Sequence, residues 1–187
     1  MTDDIFYCKT LDFPPMPDHL VKQALSIIQG KSNPYVLHNA RPFESVYKRY
    51  FVSSDIFNWL ASNIPVKLPI NVKKIGIQTF QPKRNPAVYS PHTDNKGQYI
   101  LNYQIDTGGD NVLTKWYHEA GHSLIREPDI TLDSFQNLKE VHSDHISQGT
   151  WFCLHSRILH TVVNIERPRI SLTIGLESSL TGSRNSF

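Results

Sequence analysis

The chain has 187 residues, a formal net charge of +2 and 39% hydrophobic residues. This length suits a single domain that can bury a sizeable core. Because the basic residues do not cluster, the sequence argues against a protein that binds nucleic acid mainly through its phosphates. The two cysteines, Cys8 and Cys153, form no CxxC pair, so we expect neither a disulfide framework nor a cysteine-rich zinc site.

The N-terminus gives no indication of export or membrane insertion. Its first ten residues, MTDDIFYCKT, are acidic and lack the continuous apolar stretch of a signal peptide. No segment approaches the roughly 20 apolar residues that a membrane helix needs. We therefore expect a cytoplasmic protein without a membrane segment, and the sequence leaves its oligomeric state open.

Helical periodicity marks the first part of the chain, and we expect helical support over about residues 1–69. After a run of prolines, apolar residues recur at helical spacing and stop at Gly30: Leu20, Ala24, Ile27 and Ile28. A second segment, SSDIFNWLASNIP, begins with serine and aspartate residues that are candidates for the N-cap and ends before Pro65. Two helices are predicted here.

Alternating, β-branched segments replace this pattern after Pro69. They are VKKIGIQTF, YILNYQID, VLTKWY, TWFCLH, RILHTVVNI and RISLTIGL. Turn sequences separate them, namely Arg84-Asn85-Pro86, Thr107-Gly108-Gly109-Asp110, Gln148-Gly149 and Glu166-Arg167-Pro168. The pattern predicts a mainly β protein, an antiparallel sandwich or barrel over about residues 70–177, covered on one face by the N-terminal helices. A flexible tail is expected over about 178–187.

Residues 118–122, His-Glu-Ala-Gly-His, match the HExxH pattern of zinc peptidases. That chemistry needs an α-helix, on which positions i and i+4 bind one ion. Strand-like residues precede this segment, Gly121 disfavours a helix by about 1 kcal/mol relative to alanine, and no third ligand stands out. We interpret it as a hairpin tip with two solvated histidines. A zinc peptidase using His118, Glu119 and His122 is the alternative.

His92-Thr93-Asp94 offers a different geometry. In an extended strand, residues i and i+2 point the same way, about 6.5–7 Å apart at the backbone, so an imidazole and a carboxylate can converge on one ion. His160, in RILHTVVNI, supplies a third donor. Two histidines and one carboxylate form the facial triad of non-haem Fe(II), which leaves coordination positions open. We predict a metal site at His92, Asp94 and His160.

The strand that follows His160, RISLTIGL, has one polar face. Arg169, Ser171 and Thr173 alternate there with apolar residues. An arginine offers a carboxylate two parallel N–H donors, and a serine adds a hydroxyl. We therefore predict that Arg169 and Ser171 bind a carboxylate of a co-substrate.

Taken in order, these residues resemble the Fe(II)/2-oxoglutarate-dependent dioxygenases. The pattern of that family is His-x-Asp, a distal histidine, and an arginine or lysine on the following strand. The resemblance covers about residues 72–177 and implies a double-stranded β-helix core, which is a jelly-roll or cupin-like fold. It also implies Fe(II), 2-oxoglutarate and O₂ as cofactor and co-substrates, with release of succinate and CO₂. The usual outcome in this family is hydroxylation of a C–H bond.

Other residues compete for the same roles. His142-Ser143-Asp144-His145 contains a second His-x-Asp, but too few residues separate it from His160 for the strands that the family fold places between the ligands. His155 is the competitor of His160 as distal ligand. Arg167, in the turn, is the competitor of Arg169. The role of the segment 142–145 stays open.

The strand YILNYQID adds two further candidates for binding 2-oxoglutarate. Some members of the family use a tyrosine on this strand to contact a 2-oxoglutarate carboxylate, so the resemblance nominates Tyr103. Packing of its ring in the core is an equal alternative. Asn102, on the opposite face, is the second candidate.

The substrate cannot be identified from the sequence. The segments 81–91 and 118–135 are expected to shape the mouth of the site, and their mixed polarity favours no substrate class. We expect a small molecule or a peptide side chain rather than nucleic acid. Three hypotheses remain: the oxygenase, the zinc peptidase, and a non-catalytic cupin-like domain whose metal is structural or absent.

Overall fold

A computed structural model of the chain describes residues 6–30, 34–40, 45–69, 71–83, 86–94 and 99–176. The predicted tail at 178–187 and most of the predicted turn Arg84-Asn85-Pro86 lie outside these ranges. Strands predominate among the described residues, as the sequence pattern predicts.

The strands, in chain order, are β1 Cys8–Leu11, β2 Val36–Ala40, β3 Ser45–Tyr50, β4 Ile75–Pro82, β5 Tyr99–Asp106, β6 Leu113–Glu119, β7 Leu138–Asp144, β8 Trp151–His155, β9 Leu159–Val163 and β10 Arg169–Gly175. The helices are α1 Asp18–Gln29 and α2 Ser54–Asn63, with a short 3-10 helix at Val72–Lys74.

Both predicted helices are confirmed. Helix α1 follows Pro17 and ends at Gly30, whose N–H donates to the Ser26 carbonyl. Helix α2 is capped by Ser53, whose side chain accepts a hydrogen bond from the Ile56 N–H at 3.3 Å. The buried faces of both helices join the main hydrophobic core. No helix among the described residues is long and apolar enough to cross a membrane.

Two antiparallel sheets form the β core. The larger sheet has the strand order β1-β8-β5-β10-β4-β3-β2, and the smaller sheet has the order β7-β6-β9. The segment 86–94 lies beside β9, with bridges between Ala87 and Ile165 and between His92 and His160. From β4 onward the described residues thus contribute four members to each sheet, and the chain passes repeatedly between the two sheets. This is the predicted jelly-roll, or double-stranded β-helix, architecture.

Strands also occur in the N-terminal part, for which the sequence pattern predicts helical support. β1 pairs with the edge of β8, and the β2–β3 hairpin extends the larger sheet through pairing of β3 with β4. All three strands are short, and β1 and β3 pair with strands that are distant in sequence, so local periodicity alone does not reveal them. The N-terminal region therefore contributes strands to the larger sheet in addition to the two predicted helices.

The main core lies between the helices and one face of the larger sheet. Leu172 of β10 is central to it, with no exposed surface, and is paired with Ile77 on one side and Tyr103 on the other. The apolar alternation of the last strand therefore faces the helices. Its polar alternation faces the smaller sheet.

Leu172→Ala should lower the free energy of unfolding by about 2–5 kcal/mol, because the cavity left in a closely packed core cannot fully collapse. Urea denaturation followed by circular dichroism would measure the change. Ile125→Ala is the control, since Ile125 is 41% exposed and its truncation should cost less than about 0.5 kcal/mol. Equal effects of the two substitutions would contradict this description of the core.

Candidate active site

Three side chains converge between the two sheets: His92 and Asp94 from the segment beside β9, and His160 from β9 itself. The backbones of His92 and His160 exchange two hydrogen bonds of 2.9 Å, which fixes the two rings side by side with centroids 4.5 Å apart. The Asp94 N–H donates to the Ser156 carbonyl at 2.9 Å. The possible ligand atoms of the three residues all lie within 4.8 Å of one another.

Hydrogen bonds orient both imidazole rings of this triad. Nδ1 of His92 lies 2.8 Å from the Ser90 carbonyl, and Nδ1 of His160 lies 2.9 Å from the Ile158 carbonyl. Since a carbonyl only accepts, each Nδ1 carries the hydrogen, and Nε2 is the nitrogen with the lone pair. Backbone hydrogen bonds of this kind commonly orient metal-binding histidines.

The donor set fits a divalent transition metal. Nε2 of His160 lies 3.3 Å from Oδ2 of Asp94, so nitrogen and carboxylate oxygen donors are already close together. Two imidazoles and one carboxylate on one side of an ion leave the other coordination positions open, as in non-haem Fe(II) sites. The residues present could therefore hold such an ion without rearrangement of the backbone.

A cavity of about 710 Å³ adjoins the triad. Its wall on the larger sheet includes the polar face of β10, namely Arg169, Ser171 and Thr173, and its opposite wall includes the triad. The alternation that places the apolar residues of β10 in the core therefore places these three polar side chains in the cavity.

Arg169 is a buried cation in this cavity, with 4% of its surface exposed. Its Nη2 donates to the Thr114 hydroxyl at 3.4 Å. In the described part of the chain no carboxylate forms an ion pair with it. Burial lowers the pKa of Arg169 to about 10, which still leaves the guanidinium charged at neutral pH. Its electrostatic environment therefore favours binding of an anion.

The predicted turn at Gly108 fixes the start of β10. Gly108 has φ +84°, and a Cβ there would lie 2.8 Å from the Cβ of Arg169. The turn thus packs directly against Arg169. This close packing requires a residue without a side chain at position 108.

Ser171 and Asn102 also line the cavity. Gln78 Nε2 donates to the Ser171 hydroxyl oxygen at 3.0 Å, which leaves the hydroxyl hydrogen of Ser171 able to donate elsewhere. The Thr173 hydroxyl donates to Oδ1 of Asn102 at 2.7 Å. The Asn102 side chain is therefore held in place from the neighbouring strand.

Comparison with known proteins gives structural similarity only. No family model matches the chain, and no curated protein matches it. A 2OG-Fe(II) oxygenase family oxidoreductase from Burkholderia pseudomallei superposes with a TM-score of 0.51 and 13% identity, over 89% of this chain and 83% of that one. A prolyl-4-hydroxylase from Pseudomonas putida superposes with a TM-score of 0.51 and 14% identity, over 89% of each chain. The chain has the fold of these 2OG-Fe(II) oxygenases.

Within this oxygenase fold, Tyr103 does not reach the cavity. It is 4% exposed and packs in the main core, with its ring centroid 5.1 Å from that of Trp151. The reason is the strand pairing, which places Tyr103 opposite Leu172 on the face toward the helices. Tyr103 is therefore a core residue, the second of the two roles considered for it. Its position does not support the contact with 2-oxoglutarate that the family resemblance suggests.

The HExxH segment forms no helix. β6 ends at Glu119, and the chain turns through Gly121 at φ +81°. Nε2 of His118 donates to the His122 carbonyl at 2.8 Å, and Glu119 forms an ion pair with Arg126. The predicted turn is present, but β6 pairs with β7 rather than with the residues directly after the turn. Without a helix, the geometry of a zinc peptidase is absent from this segment.

The other competitors also lie outside the triad. His142 stacks on Tyr7 with ring centroids 5.2 Å apart, and its strand β7 is the outer strand of the smaller sheet. His155 lies at the end of β8 with its ring 5.0 Å from that of Tyr99. Arg167 is half exposed and forms an ion pair of 3.3 Å with Asp106, as expected for a residue in the turn.

Several cavity residues are not among the sequence candidates, and Arg49 and Tyr47 of β3 are the most notable. Both lie on one face of the segment SVYKRY, so their i, i+2 spacing could have indicated two side chains that point in the same direction. Their approach to the site nevertheless depends on the pairing of β3 with β4. Thr114, the partner of Arg169, was missed for a similar reason.

Proposed function

We propose that the protein is an Fe(II)- and 2-oxoglutarate-dependent oxygenase that hydroxylates a C–H bond of a small molecule or a peptide side chain. The observation that carries the proposal is the convergence of His92, Asp94 and His160 in one cavity with Arg169, which is buried and has no carboxylate partner among the described residues. A zinc peptidase would need neither the arginine nor the jelly roll. A purely structural metal site would not require so large a cavity next to it.

Each residue has a defined role in this proposal. His92, Asp94 and His160 would hold Fe(II), which together with 2-oxoglutarate and O₂ would supply the oxidant, with succinate and CO₂ as by-products. Arg169 binds the carboxylate of 2-oxoglutarate that is remote from the metal, and the Ser171 hydroxyl donates a second hydrogen bond to it. Asn102, held by Thr173, contributes to the wall against which 2-oxoglutarate lies.

Anaerobic titration of the Fe(II)-loaded protein with 2-oxoglutarate tests this proposal. A weak visible metal-to-ligand charge-transfer band should appear, because the keto acid binds the metal directly. Succinate should form once O₂ is admitted. If 2-oxoglutarate produces no band, the oxygenase assignment is wrong, whether or not 2-oxoglutarate binds in a parallel calorimetric titration. A metal-binding domain without this activity would then be the better description.

A further inference from the structure

Arg49 is a second buried arginine in the same cavity, and the roles proposed above do not use it. It lies on β3, is 1% exposed, and is paired with Gln78 of β4. Gln78 in turn pairs with Ser171 of β10. Arg49 is therefore placed on the cavity side of the larger sheet, two strands away from the proposed carboxylate site.

Within the part of the chain that the structure describes, Arg49 donates hydrogen bonds only to neutral acceptors. Nε donates to the Tyr35 hydroxyl, and Nη2 donates to the carbonyls of Lys74 and Thr173 at 3.0 and 3.4 Å. Nη1, with two hydrogens, makes a single long contact of 3.5 Å to the Tyr47 hydroxyl. Burial raises the pKa of both Tyr35 and Tyr47, so these phenols are neutral near pH 7.

No carboxylate of the described residues forms an ion pair with Arg49. Burial of a cation without a counter-charge is energetically unfavourable. A neutral side chain could fill the same space at lower cost. Hydrogen bonds to backbone carbonyls therefore do not by themselves account for an arginine here.

Gly76 of β4 makes the room that the guanidinium occupies. A Cβ at this position would lie 2.7 Å from Nε of Arg49 and 2.6 Å from the Tyr35 hydroxyl. The Arg49 guanidinium and the Tyr35 hydroxyl therefore lie directly against the backbone of β4 at Gly76. This arrangement is local and specific, and it holds the cation within the sheet rather than in solvent.

The charged residues that line the cavity also favour an anionic ligand. Its lining includes four basic residues, Arg49, Lys73, Lys74 and Arg169, and two acidic ones, Asp94 and Asp129. Asp94 belongs to the proposed metal site and Arg169 to the co-substrate. Three basic residues, Arg49, Lys73 and Lys74, and one acidic residue, Asp129, then remain, and their formal net charge of +2 favours anionic ligands.

We infer that Arg49 is a specificity-determining residue that binds a carboxylate of the substrate being oxidised. This inference rests on the proposed function, because it assumes that the metal and Arg169 already hold both ends of 2-oxoglutarate. The substrate is then an organic acid, either a small molecule or a peptide with an acidic side chain. The guanidinium binds the acid by charge-assisted hydrogen bonds through Nη1.

Calorimetric titration with matched probes tests the inference. The full chain is loaded anaerobically with Fe(II) and saturating 2-oxoglutarate, and then titrated with benzoate, benzamide or phenyl phosphate. These probes share a ring and differ only in the head group. The parent protein should bind benzoate at least about tenfold more tightly than benzamide, the ratio expected of one charge-assisted hydrogen bond. Arg49→Gln should reduce benzoate affinity to the level of benzamide and leave benzamide affinity unchanged.

The charge-transfer band with 2-oxoglutarate distinguishes failure of the proposed function from failure of the role inferred for Arg49. If the parent protein gives no band, the proposed function fails rather than the role of Arg49. If Arg49→Gln loses the band, the titrations are repeated with Arg49→Lys and Gly76→Ala. The first variant has a shorter side chain with fewer donors, and the second displaces the Arg49 guanidinium from its position against β4. Reduced benzoate binding with an intact band supports the inference. Equal binding of benzoate and benzamide by the parent, or unchanged benzoate binding in band-positive variants, overturns it. Tighter binding of phenyl phosphate than of benzoate overturns the carboxylate assignment in favour of a phosphate.

Discussion

Replacing His92, Asp94 or His160 by alanine should abolish 2-oxoglutarate turnover. Each substitution removes one of three converging ligand atoms, which lie within 4.8 Å of one another. Removal of an outer-shell partner commonly costs about 10–100-fold in metal affinity or activity, and removal of a ligand should cost more. Succinate formation measures the loss of activity, and titration with Fe(II) under anaerobic conditions measures the loss of metal binding.

His118→Ala and His122→Ala are the matched controls. Each removes an imidazole from the same chain, but at a turn where the His122 side chain is half exposed and no helix brings the two rings to one ion. Both variants should keep Fe(II) binding and turnover close to those of the parent. If they lost the metal while the triad variants retained it, the metal site would have to be moved to the HExxH segment.

The triad could be found from the sequence because its geometry is mostly local. The i, i+2 spacing of His92 and Asp94 has one simple structural meaning in extended backbone, and His160 lies in a clearly alternating segment. The boundaries of β5 and β10 follow their alternating segments closely for the same reason. What the sequence could not supply is the pairing of His92 with His160, which joins residues distant in the chain.

The site residues that the sequence did not predict correctly depend on strand pairing between distant segments. Asn102 and Tyr103 lie on opposite faces of β5, but which face meets the cavity depends on the pairing of Thr173 with Asn102 and of Leu172 with Tyr103. Arg49 reaches the cavity only because β3 adds to the edge of β4. Such pairings are set by tertiary contacts rather than by local preference, so a pattern along one segment does not determine them.

Arg169→Lys should weaken 2-oxoglutarate binding by about 10–100-fold, the equivalent of one charge-assisted hydrogen bond of roughly 1.5–3 kcal/mol. Lysine keeps the positive charge but lacks the planar pair of donors that matches a carboxylate. The affinity for Fe(II) should not change, because Arg169 contacts Thr114 rather than the triad. Isothermal titration with 2-oxoglutarate, and separately with Fe(II), measures both affinities.

Arg167→Lys is the control for this substitution, with the same change of side chain two residues earlier. Arg167 is half exposed and paired with Asp106, and an exposed pair of this kind contributes little to stability. Its replacement should leave both affinities near those of the parent. Because Arg169 is buried without a carboxylate partner among the described residues, an anion is needed to balance its charge, and the co-substrate is the anion we propose. Equal 2-oxoglutarate affinities for Arg169→Lys and the parent would mean that the remote carboxylate is bound elsewhere, and Arg49 would then be the first residue to test in that role.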